Sequence, residues 1–114
     1  MTIDEDEFWA LVEDEYAQLP PEMTDGLDNV AIFVEDRSST EPDLLGVYEG
    51  FDVNDRVGYG LGELPDRIVL FREVLADYCD DLDQLRDEIH ITLVHEIAHY
   101  FGLDDDQLHA LGWA

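Results

Sequence analysis

The sequence predicts an α+β domain, and three observations carry that expectation. Near the N-terminus, Phe8, Leu11, Val12, Tyr16 and Leu19 recur at helical spacing. Three short β-rich runs follow: Asn29–Glu35 (NVAIFVE), Leu44–Glu49 (LLGVYE) and Arg67–Phe71 (RIVLF). The longest helical pattern comes after them, with Leu82, Leu85, Ile89, Leu93 and Ile97 on one face. Strands grouped in the middle and helices at the ends suit a short β-sheet packed against an N-terminal helix and a long later helix.

Each element has its own boundary signals. Thr2 and Glu5 have capping-box spacing, and Pro20-Pro21 stops the chain, so the first helix is expected over residues 3 to 18. The polar stretch Arg37–Asp43 contains a proline and reads as a loop, and Gly46 would interrupt the second strand. Phe51–Gly62 carries Gly58, Gly60 and Gly62 around Tyr59 and reads as a connection; it lacks the lysine of a phosphate loop. A short helix is expected from Arg72 to Tyr78. Asp81 is the natural N-cap of the long helix, which runs to about Phe101 and stops at Gly102. A last short helix, Asp106 to Leu111, would end at Gly112.

A chain of 114 residues makes one domain, spanning 1–114. With 46% apolar residues, 12 of them aromatic, it can fill a modest core. The charge is lopsided: 30 Asp and Glu stand against five Arg, there is no Lys, and the formal net charge is −25. Such a surface repels nucleic-acid phosphates and anionic lipid and attracts cationic peptides, with strong salt dependence. The acid is spread along the chain, which also fits a merely solvated surface. Cys79 is alone, so no internal disulfide forms, and the nearby Asp80, Asp81 and Asp83 would raise its thiol pKa. The acidic N-terminus lacks signal-peptide order and no apolar run is long enough to span a bilayer, so a cytoplasmic protein is expected.

The chemistry concentrates in His95-Glu96-Ile97-Ala98-His99. On a helix, His95 and His99 lie about 40° apart and one turn apart, so both imidazoles can meet one ion. Two histidines at this spacing suit zinc. Glu96 is about 100° round from His95, beside the pair and out of line with it, where a general base acting on a water would sit. Gly102 can take φ > 0 and turn the chain back, presenting Asp105 as a third ligand. Asp104 and Asp106 flank it, and any of the three could cap the last helix. His90 falls roughly 140° from the ligand face. His109 lies past the site. Tyr59 and Tyr100 are the candidate oxyanion donors; Tyr100 points off the ligand face and is expected in the core, and Tyr59 lies in the Gly-rich connection.

The full pattern, H-E-x-x-H-x-x-G-x-x-D, resembles the long zinc motif of metzincins, in which the third ligand is usually His. The segments NVAIFVED, LLGVYEG, LPDRIVLFR and HEIAHYFGLDDDQLHALG extend the likeness over nearly the whole chain. The sequence resembles the small bacterial zincin-like metallopeptidases, or minimal zincins. That resemblance implies one zinc ion held by His95, His99 and Asp105, with Glu96 as the catalytic acid–base group. It also implies a small α+β domain, and a peptide substrate extended along the edge of the RIVLF strand.

The expected function is therefore zinc-dependent hydrolysis of a peptide bond. Two alternatives stand beside it. One is a non-catalytic metal-binding regulatory domain, suggested by the lack of a methionine and the shortness of the chain after Asp105. The other is an acidic interaction or decoy protein whose charge is its business. An intact Glu96 favours the enzyme, because metal binding alone does not require it.

Overall fold

The computed structural model describes residues 1–50 and 65–112, so the Gly-rich segment and Tyr59 lie outside the described residues. Helix α1 (Glu5–Ala17) is capped by Asp4, whose carboxylate accepts from the Glu7 N–H at 2.8 Å. The cap is thus Asp4 and not the Thr2–Glu5 pair: an ionised carboxylate is the stronger acceptor and complements the helix dipole. Ile3 and Phe8, flanking that cap, are both buried in one core cluster, a hydrophobic staple that sets the helix entry. A single turn, α2 (Pro21–Thr24), follows and buries Met23.

Among the described residues three strands form one sheet: β1 (Val30–Glu35), β2 (Gly46–Glu49) and β3 (Asp66–Phe71). Their order is β1-β3-β2, with β3 parallel to β1 and antiparallel to β2. The RIVLF run is therefore the central strand, and both of its edges are taken up by ladders. A substrate strand finds both sides of it taken; among the described residues the sheet's edges belong to β1 and β2. Burial on both faces explains this placement, since Ile68, Val69 and Leu70 are all fully buried.

Helix α3 (Arg72–Tyr78) leaves the end of β3 directly, and α4 (Leu82–Tyr100) begins at the Asp81 cap. Of the α4 stripe, Leu85, Ile89, Leu93 and Ile97 are fully buried, while Leu82 in the first turn is exposed. Helix α4 packs against α1, β2 and β3. Among the described residues no helix is long and apolar enough to cross a membrane. Cys79 is buried in the core, and burial, then the charge of Glu88, pushes its thiol pKa up. The neighbouring aspartates, which the sequence alone suggests as the cause, add less than desolvation does.

Sheet and helix approach closely at Gly46. A Cβ there would lie 2.6 Å from the Thr92 methyl and 3.2 Å from the Val69 carbonyl oxygen. Gly46 does not break β2; it lets the strand seat on α4, just one turn from the histidine pair. We expect Gly46→Ala to destabilise the domain by about 1–3 kcal/mol through overpacking. A urea melt that returns the parent's midpoint would show that this contact is looser than the structure has it.

Candidate metal centre

The site is built by the end of α4 and the turn after it. Helix α4 closes with a Schellman arrangement: the Gly102 N–H donates to the His99 carbonyl (3.1 Å) and the Leu103 N–H to the Ala98 carbonyl (2.9 Å). Gly102 has φ 69°, the left-handed conformation this motif needs. The chain reverses there and enters α5 (Asp105–Leu111).

Asp104, not Asp105, caps α5. Its carboxylate accepts from the Gln107 N–H (2.8 Å), and the Gln107 side chain accepts from the Asp104 N–H (2.9 Å). Asp105 is left outside the capping box. It lines a cavity of about 570 Å³ together with His95, between α4 and α5. The cavity wall is aliphatic at Ile91, Val94 and Leu108. His109 lines it too, four residues and one turn after Asp105. Its place past the motif gives His109 no role in the sequence; the i, i+4 spacing from Asp105 is the signal that puts the two on one helix face.

His99 stands on the neighbouring turn and is largely exposed. Its Nδ1 is 2.8 Å from Glu96 Oε1, and Glu96 is buried at 7% exposure. In the tautomer that donates from Nδ1 to this carboxylate, a neutral ring keeps its Nε2 lone pair for a ligand. That is how a zinc-binding histidine is oriented by a carboxylate partner. His90 sits at the cavity rim, half-exposed, 3.8 Å from the buried Glu15 carboxylate.

Tyr100 anchors the end of α4. Its hydroxyl accepts from the Asp28 N–H (3.1 Å), and its ring meets those of Tyr48 and Phe101 edge-on at 5.9 and 5.0 Å. Tyr48 in turn donates to the buried Asp66 carboxylate at 2.7 Å. This relay ties the sheet to the turn that carries the site.

His95 and Asp105 are thus brought to one cavity, and His99 is coupled to Glu96 beside it. Among the described residues, no three His, Cys, Asp or Glu side chains already stand close enough together to hold a metal ion. The donor set itself, two imidazoles and a carboxylate, suits zinc. All three of His95, His99 and Asp105 are exposed; His95 and Asp105 line the cavity, and His99 stands outside its lining.

A family model described as zincin-like metallopeptidase matches residues 27–113. The chain belongs to the zincin-like metallopeptidase family. Among solved structures, a conserved hypothetical protein from Thermo thermophilus superposes with a TM-score of 0.65 at 25% identity. The match covers 87% of this chain and 94% of that one. A search of curated proteins finds no match. Family membership brings zinc binding as a general property of zincins, and the match includes α4 and α5, the two helices that carry the motif.

Proposed function

We propose that this zincin-like protein is a zinc-dependent peptidase, with His95, His99 and Asp105 as metal ligands and Glu96 as general base. One observation carries the reading: the Gly102 turn brings Asp105 into the same cavity as His95, ten residues away in sequence, while the adjacent Asp104 is consumed as a helix cap. Zinc, when bound, would supply Lewis acidity, lowering the pKa of a water and polarising a peptide carbonyl. Glu96 would accept that water's proton and return it to the leaving amine. Ile91, Val94 and Leu108 would offer a substrate apolar contact beside His95 and Asp105. The −25 charge favours cationic substrates, with capture that weakens in salt.

A second reading, a metal-binding domain without catalysis, is favoured by the direct Glu96–His99 contact. In that reading the carboxylate only orients its neighbour.

The test of the ligand set is zinc titration against a competing chelator. The parent should bind one zinc per chain. Asp105→Ala should weaken binding far more than Asp104→Ala or Asp106→Ala, although Asp104→Ala removes a cap and should cost about 1 kcal/mol of stability. Equal losses at all three positions would mean that local negative charge holds the ion and would remove Asp105 from the ligand set.

A further inference from the structure

We infer that the outer edge of β1 is a docking site, remote from the metal centre, for an extended cationic peptide segment that adds to the sheet as a fourth strand. In the order β1-β3-β2, β1 pairs only with β3 among the described residues. Alternate residues of an edge strand turn their N–H and C=O groups away from the sheet, unpaired and ready to accept another strand. Natural edges are usually blunted by lysine, proline or a bulge. The β1 run, VAIFVE, has no proline, and its register with β3 is continuous over all six residues.

Beside this edge lies a groove of about 250 Å³ between β1 and α1. Its strand side is Ile32, Phe33 and Val34; its helix side is Glu5, Asp6 and Trp9, the last at i+4 from Glu5. Trp9 and Phe33 are large apolar side chains that are 38% and 40% exposed. The Arg67 guanidinium sits 4.7 Å from the Phe33 ring centroid and already occupies that ring, so the peptide's cations would fall to Glu5, Asp6 and the Trp9 side of the groove. An unpaired strand edge supplies main-chain hydrogen bonds, the aromatics supply apolar contact, and Glu5 and Asp6 supply the sign of charge. Together these fit a segment alternating cationic and apolar residues. A second copy of this chain is disfavoured, because it would bring another −25 against the same acidic rim. The edge is also separate from the metal centre: α4 packs on β2 and β3, and no residue of this groove lines the His95 cavity.

The probe is an alternating Lys–Val octapeptide, titrated calorimetrically into the full chain, with an alternating Glu–Val peptide and oligolysine as controls. The Lys–Val peptide should bind, and more weakly as salt rises; the Glu–Val peptide should not. N-methylation of alternate residues on the pairing edge should weaken binding at least about tenfold, because several main-chain hydrogen bonds are lost together. Trp9→Ala and Asp6→Asn, both at exposed helix positions, should each weaken it several-fold. Equal affinity for the N-methylated peptide or for oligolysine would reduce the effect to general electrostatics and overturn the proposal. So would affinity unchanged in both variants, or sedimentation showing that β1 is covered by a second copy.

Discussion

Glu96→Gln is expected to lower peptide hydrolysis by about 100-fold or more, the usual contribution of a general base, while zinc uptake stays at one per chain. Glutamine keeps the size of the side chain and a carbonyl oxygen that can still accept from His99 Nδ1, so the 2.8 Å contact that orients that imidazole survives. What disappears is the basic carboxylate. Because Glu96 is buried within α4, the isosteric change should leave thermal stability close to the parent's. Hydrolysis of cationic and neutral peptides should be followed at several salt concentrations, so that substrate capture is separated from chemistry. A Gln variant as active as the parent would sink the general-base assignment. A parent that holds zinc and cleaves nothing in a broad peptide library would favour the non-catalytic metal-binding domain, with Glu96 kept only to orient His99.

His95→Ala or His99→Ala should abolish stoichiometric zinc binding without unfolding the chain. Each removes one nitrogen donor from a three-residue set, and zinc has no spare protein ligand in a catalytic site to make up the loss. Both side chains are exposed, so truncation leaves no cavity in the core. His90→Ala and His109→Ala are the controls: both residues line the same cavity as His95 and neither is assigned as a ligand. Elemental analysis after reconstitution reads the outcome, with circular dichroism confirming the fold. If His109→Ala strips the metal while His99→Ala spares it, the ligand set is instead His95, Asp105 and His109.

Much of this protein is determined locally and was legible in the sequence. The Asp81 cap, the Arg72–Tyr78 helix and the Gly102 stop all stand where the sequence puts them. Caps, propensity and φ > 0 positions depend on a few adjacent residues, and the spacing of His95 and His99 follows from helix geometry alone. The α+β class followed from the same local signals. Tertiary structure decided what local signals cannot carry. Strand order is one such matter: RIVLF reads the same as an edge or a centre, and only packing on both faces made it the centre, leaving the edges to β1 and β2. Asp104, Asp105 and Asp106 are chemically alike; the chain's reversal at Gly102 made one a cap and turned another into the His95 cavity. His109 joined that cavity for the same reason. Glu96 was placed beside the histidine pair by helix angle, and its i, i+3 contact with His99 is local to α4, but its burial depends on the sheet and helices packed around α4. Charge is legible as a total of −25, yet where it meets an open strand edge beside Trp9 and Phe33 is a property of the fold.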